Sequence, residues 1–380
     1  MRRRVVAVLP MASGLMLAAS ALAVSPGPTI RVAVLENART VELRGEDVLI
    51  SAVARCPRCG EPMHVGGGGV IRAVSRDGGV EIDGAPFGRG ARLSSEGTIR
   101  LNGREYGGTL EILKNGGGLA VVNELPLEEY VAGALKAEAS DTWPTEALRA
   151  QAIVTRSYAA YHRQLNAGKP YHIVASTANQ QYVGRVPGSS PLWDAARETA
   201  GQVLLWEGEL FPTFYHADDG GYTEEPRAVF AAKNMPALKA VRCEFSTASP
   251  HFYWNLDLRL SELSELLRRG GVPVGTVVGI DVAERSQTLR VAELVVRGSR
   301  GSTRLRGTDF RRLVGYDTLK STLFAVAIDG EYAHFSGRGW GHGVGMCQWG
   351  AKGMAEQGHT AVQILAHYYP GATLSTLKEP

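Results

Sequence analysis

One acid and one glycine-rich run carry most of the chemistry this chain's residue types could support. Glu138 lies four residues after Ala134 and eight after Tyr130, so on a helix it shares the side those two occupy. A carboxyl on an apolar face is either paired or desolvated. Desolvation raises its pKa and keeps it protonated near neutrality, the state a general acid requires. The plainer alternative is a core glutamate bonded to a backbone donor or to Arg156. The second feature runs from Gly337 to Ala351, with glycine at every second position from 337 to 345. If that run is extended, Arg338, Trp340, His342, Val344 and Met346 line one face and the other face is bare backbone. Glycine weakens a strand interior unless something must approach the main chain. The run therefore reads as a bed for a polar polymer such as a glycan, or as a glycine-rich barrel corner with no ligand. His342 could bind a hydroxyl, stack, or transfer a proton.

Other chemistries lack their residues. The glycine run has no Gly-Lys-Ser/Thr ending, and it lacks the strand and helix context of a dinucleotide fingerprint. Gly-x-Ser-x-Gly is absent. His172, His216 and His251 do not form a His-x-x-x-His spacing, and no base and orienter stand at a suitable spacing from Cys347 to make it a nucleophile. Asp218-Asp219-Gly220-Gly221 is a turn signal after the strand that carries His216. Basic and acidic residues nearly balance, 41 against 38, so charge gives no argument for nucleic acid as a partner.

The elements that must position these groups follow from patterning. Residues 1–23 read as an export signal: Arg2 to Arg4, an apolar stretch, then Ala21-Leu22-Ala23 with a cut before Val24. An uncleaved anchor is the alternative, and is the one membrane contact expected. The mature protein is expected on the periplasmic or cell-wall side of the membrane. Residues 24–99 form a β-rich region of short apolar strands between glycine clusters. It holds Cys56-Pro57-Arg58-Cys59, to which a structural role is assigned. A helix opens at Pro126 and runs through Glu138. A second begins near Pro144, read as its first residue, and a third covers Ser190 to Ala200. Strands are expected at 202–205, 211–216 and 275–306, and helices at 260–268 and 360–368. The fold class is α+β: a helical pair bearing Glu138 packs on a β-rich body that includes the glycine-rich strand. Glu138 and His342 should border one groove.

Two separate segments resemble the stage II sporulation protein D family, which includes amidase-enhancer proteins. One is Glu124-Leu125-Pro126-Leu127-Glu128-Glu129-Tyr130-Val131-Ala132-Gly133 through Glu138, continued by Trp143-Pro144, Glu146 to Ala152 and Arg156-Ser157-Tyr158. The other is Gly339 to Ala351. Leu305-Arg306-Gly307, Asp309-Phe310-Arg311 and Ser321-Thr322 look familial too. The likeness covers 100–375, read as one domain with a β-rich sub-region at 255–320. It implies a peptidoglycan lytic transglycosylase that cuts the β-1,4 bond between N-acetylmuramic acid and N-acetylglucosamine and leaves a 1,6-anhydro ring. The family's catalytic acid falls on Glu138. Gln151, Arg156, Tyr158, His342 and Gln348 are candidates for holding sugar and N-acetyl groups, and Tyr182 and Trp340 for stacking on sugar faces.

Three departures stand out. Some family members carry a zinc site just before the segment Gln180-Gln181-Tyr182. Residues 173–179 here offer no such ligands, so neither a metal nor a cofactor is expected. The family's Ser-Gly-Gly turn appears as Asp219-Gly220-Gly221, with Asp219 a candidate substrate contact, and Cys347 stands where serine is usual. Glycan strands are the expected partner. The other function class is a non-catalytic wall-binding module that stimulates a partner amidase.

Overall fold

The computed structural model describes residues 27–377 apart from 55–58, 178 and 231–234. The export segment and Cys56 lie outside the described residues. Two sheets share the first core. A seven-stranded sheet runs in the order 173–174, 29–38, 118–126, 109–115, 90–94, 48–52, 63–65. A six-stranded sheet runs 104–106, 99–101, 40–45, 70–76, 79–82, 85–86. Neighbouring strands are antiparallel except where Ile173–Val174 pairs parallel with Thr29–Ala38. Alternation drives the packing: Ile30 and Val32, Ile50, Leu110 and Ile112 face Val41 and Leu43, Ile71 and Ala73 in one buried cluster, because successive strand residues point to opposite faces. The seven-stranded sheet crosses the expected boundary between 99 and 100, since strands 109–115 and 118–126 lie between strands 29–38 and 90–94.

Strand Gly118–Pro126 passes without a loop into helix α1, Leu127–Glu138. Pro126, with φ −55°, has no N–H to leave unpaired at this end. The Leu127 N–H donates to the Pro28 carbonyl (2.8 Å), tying the helix to the first strand. Helix α2 spans Thr145–Leu165, with Pro144 just before its first residue rather than on it. Helix α3 spans Pro191–Glu198, and the Ser190 hydroxyl accepts from the Leu192 N–H, a standard way to satisfy an orphan donor. Val131 and Leu135, Leu148 and Ala152, Leu192 and Ala195 join the three helices in one buried cluster. The opposite side of α2, with Ala150, Ile153 and Val154, packs on helices Gln348–Glu356 and Ala361–Tyr368. Helix α2 is thus enclosed on most sides, and it fixes α1 relative to the C-terminal segment.

Strands Tyr253–Arg259, Phe324–Asp329 and Tyr332–Arg338, a second three-stranded sheet from 277–306 and helices Leu260–Arg269 and Gly307–Val314 build a core of their own. The mixed α+β class is the one that forms.

The glycine-rich run is not a strand. Strand Tyr332–Arg338 ends on its first two residues, and beyond them φ is positive at Gly339, Gly341, Gly343 and Gly345. The run winds over residues 214–219, held by bridges between Asp218 and Trp340 and between Glu224 and Val344. A Cβ on Gly345 would lie 1.9 Å from the Phe214 carbonyl oxygen, and one on Gly341 2.7 Å from His216 Cβ. The bare backbone therefore faces protein, not ligand: close approach and left-handed φ select glycine here. Beyond it, Met346–Cys347 pairs parallel with Tyr215–His216. Among the described residues no helix is long and apolar enough to cross a membrane.

Candidate active site

Glu138 is the last residue of α1 and is half-buried. Ala134 and Tyr130, one and two turns back, are fully buried. The Gln181 N–H donates to Glu138 Oε1 (3.0 Å). Burial raises the carboxyl pKa above its ordinary value, opposed by the Gln181 N–H, the Tyr215 hydroxyl and Gln348. The two side chains act at the margin of bonding distance. Tyr215 Oη is buried and makes no well-formed hydrogen bond. Gln348 Nε2 donates to the backbone carbonyl of Glu138 (3.1 Å) and toward Gln151 Oε1 (3.5 Å). Burial also pushes the phenols of Tyr130 and Tyr215 up, with Glu138 a further cause in each. Tyr130 donates to Gln180 Oε1 (2.8 Å) while Gln180 Nε2 stays unpaired. The carboxyl thus sits among tyrosines and glutamines: burial disfavours its ionised form, while the donors from Gln181, Tyr215 and Gln348 favour it without cancelling that effect.

The sequence candidates divide. Gln151 and Gln348 meet beside Glu138. Tyr158 packs on Phe214 and His162, and its hydroxyl accepts from Asn179 (3.4 Å). His342 lies against Phe214, Phe230 and His216. Burial first, then Arg311 and Arg290, lower its pKa to about 3, so the ring is neutral at physiological pH. Tyr215 links the two ends, with its side chain at Glu138 and its backbone at His342. Trp340 is half-exposed, edge-on to His251, with Lys320 Nζ 5.5 Å from its ring centre.

Three candidates are placed inside the protein. Arg156 is fully buried, and all five of its donors are engaged: by Glu128, Thr199 and the carbonyls of Ala196 and Gln202. It ties α1 to α3 and leaves nothing for a sugar. The Tyr182 ring packs against Tyr130 and Tyr106, and its hydroxyl donates to Asn123 (2.9 Å), so it offers no stacking face. Asp219 is fully buried, its Oδ1 accepting from the Gly221 N–H (2.8 Å) and the Ser246 hydroxyl (2.9 Å). Sequence reading did not single out Tyr215 or the Gln181 N–H, although both approach the Glu138 carboxyl. Two surface concavities, one lined by Tyr253, Arg285 and Gly337 and the other by Glu225, Arg227 and Lys239, include none of these residues.

A family described as stage II sporulation protein matches residues 115–206, and a domain of unknown function matches 225–345. The stage II sporulation protein D of Bacillus amyloliquefaciens is 30% identical over 271 residues, covering 67% of this chain and 75% of that protein. The chain belongs to the stage II sporulation protein D family. An uncharacterized protein of Brachyspira hyodysenteriae is 31% identical over 286 residues, 75% of this chain and 76% of its own length. The amidase enhancer of Bacillus subtilis strain 168 is 26% identical over 333 residues, 74% of this chain but 46% of that protein.

The segment that matches the stage II sporulation protein family contains α1, α2, α3 and the Gln180-Gln181 turn, and therefore Glu138 with its backbone donor. Tyr215 and Gln348 reach the same carboxyl from outside it. Asp219 and Cys347 meet in space: their ligand atoms and that of His216 lie within 4.8 Å of one another, all buried. Sequence spacing set His216 aside because no second histidine stands near it in the chain.

Proposed function

We propose that this protein is an exported peptidoglycan lytic transglycosylase acting on glycan strands at the β-1,4 bond between N-acetylmuramic acid and N-acetylglucosamine, with Glu138 as the single general acid and base. The observation that carries this reading is the desolvated carboxyl at the end of α1, with raised pKa and no carboxylate among the groups that shift it. A hydrolase would use two carboxyls at a defined separation, one of them to activate water or attack the sugar. A lone acid suits a reaction in which the sugar supplies its own nucleophile.

In that reaction protonated Glu138 donates to the glycosidic oxygen as the bond from C1 breaks, and positive charge develops at C1. The resulting carboxylate takes the proton of the C6 hydroxyl as that oxygen bonds to C1. The acid is restored, no water is consumed, and a 1,6-anhydro end is left. Tyr215 and Gln348 suit the carboxylate stage, because both favour the ionised form. Trp340 and His342 are the half-buried candidates for holding the strand.

The similarity to an amidase enhancer favours a second reading, a module that binds wall glycan and stimulates a partner amidase without cutting. Mass spectrometry of purified glycan strands after digestion separates the two. The transglycosylase reading expects anhydro-muramyl ends from the wild type and none from Glu138→Gln. Equal product from both, or none from either, rejects it.

A further inference from the structure

His216 and Asp219 from one segment and Cys347 from another converge, and the first two each carry an unpaired buried atom. His216 Nε2 and Asp219 Oδ2 are buried without a hydrogen-bond partner. Their other atoms are already fixed. His216 Nδ1 lies 3.2 Å from the Val344 carbonyl, and an N–H directed there leaves the Nε2 lone pair free. Asp219 Oδ1 is held by Gly221 and Ser246. Cys347 Sγ accepts from the Gly350 N–H (3.2 Å). Fixing the outer atom of each ligand so that the inner one points at a common centre is how protein metal sites are oriented. Orphaned buried acceptors are otherwise costly.

Charge supports the same conclusion. Asp218, Asp219 and Glu224 are buried around a single guanidinium, Arg290, on which all three act together with Cys347. Arg290 Nη2 is bound to the carbonyls of Asp219 and Tyr222, and its Nε and Nη1 point at no acceptor. The next guanidinium, Arg311, is held by the carbonyls of Leu319 and Tyr316. Three acidic side chains thus surround two guanidinium groups there. A nitrogen, a carboxylate oxygen and a sulfur suit a borderline-soft divalent ion, and zinc is the usual one. Cys243 lies outside that group of three, but its thiol interacts with that of Cys347 and with Tyr368 Oη (3.1 Å), which makes it the candidate fourth ligand.

We propose that His216, Asp219 and Cys347, with Cys243 completing the set, bind one structural zinc ion. Binding transfers the thiol protons to solvent, and the ligands close by a fraction of their present separation. The site lies where Tyr215–His216 pairs with Met346–Cys347. Tyr215 and Gln348, the residues next to two ligands, point to Glu138 on the other side. The ion would therefore pin the two strands behind the acid without touching substrate. This inference does not depend on the transglycosylase reading, and its test does not measure activity.

The full chain, purified without a metal-binding tag and desalted, is analysed for metals by mass spectrometry. About one zinc per chain is expected, the stoichiometry of a single closed site. Asp219→Ser and Cys347→Ser should lose it, and wild type refolded with cobalt should gain a sulfur-to-cobalt charge-transfer band. Should the variants fail to fold, the wild type decides alone. No zinc and no cobalt band overturns the site, as does a Cys243–Cys347 disulfide found by peptide mapping. Zinc retained at full stoichiometry by both folded variants places the ion elsewhere and equally overturns it.

Discussion

Replacing Tyr215 by phenylalanine separates the role of its hydroxyl from that of its ring. Oη is buried, makes no well-formed hydrogen bond, and acts on the Glu138 carboxyl in favour of its ionised form. Its removal leaves no partner unsatisfied, so stability should be unchanged or rise, by at most about 1–3 kcal/mol, the cost of an unmet buried polar group. The carboxyl loses a donor that prefers the anion, so its pKa rises further. A hydrogen bond to a charged group is worth roughly 1.5–3 kcal/mol, and one pKa unit is about 1.4 kcal/mol. The alkaline limb of the pH–rate profile should therefore move up by about one unit, toward the lower end because the resting hydroxyl is poorly aligned. Turnover at the optimum should fall on the order of 10- to 100-fold, less than the 10²–10³ for a fully aligned donor, since the carboxylate formed after bond cleavage is less well stabilised. The assay is initial-rate formation of anhydro-muramyl ends across pH, beside urea unfolding of the same preparations. Unchanged turnover with an unmoved alkaline limb would refute contact between Tyr215 and the acid.

Glu138→Gln should abolish product while stabilising the fold at neutral pH. The native pKa is raised, so wild type loses stability as pH climbs from the unfolded value, roughly 4.3, toward the folded one, and glutamine does not. The difference in urea midpoints should vanish below about pH 4, and a difference that persists there would sink the reasoning. Arg156→Met should cost about 3 kcal/mol by denaturant unfolding, the low end for breaking a buried ion pair, because the Glu128 side chain is 32% exposed and can regain water. Gly345→Ala should cost more than about 4 kcal/mol, since φ is +73° and the new Cβ would meet the Phe214 carbonyl at 1.9 Å. Wild-type thermal stability in that variant would contradict the close approach.

Local pattern told most about helices and least about who touches whom. The apolar spacing from Leu127 to Glu138 and the prolines at 126 and 144 mark α1 and α2, because helix periodicity and the missing proline N–H act within a few residues. Alternate glycines were misread as a strand because period two is also what repeated left-handed turns produce, and φ is invisible in a string of letters. Arg156 and Tyr182 looked like ligand contacts because their types suit either role. What decides is Glu128, 28 positions from Arg156, and Asn123, 59 from Tyr182. Long-range pairs of this kind have no local signature. Asp219 and Cys347 stand 128 positions apart, so their meeting beside His216 required the fold.

The loopless passage from strand Gly118–Pro126 into α1 bears on how the gene could be shortened. A fragment starting at residue 100 would keep the helices yet discard strands 29–38, 48–52, 63–65 and 90–94 of the seven-stranded sheet. It would expose both flanks of the remaining hairpin as raw templates for intermolecular pairing, along with the Leu110 and Val121 side chains now covered. A minimal soluble unit that carries the acid therefore has to begin ahead of Thr29.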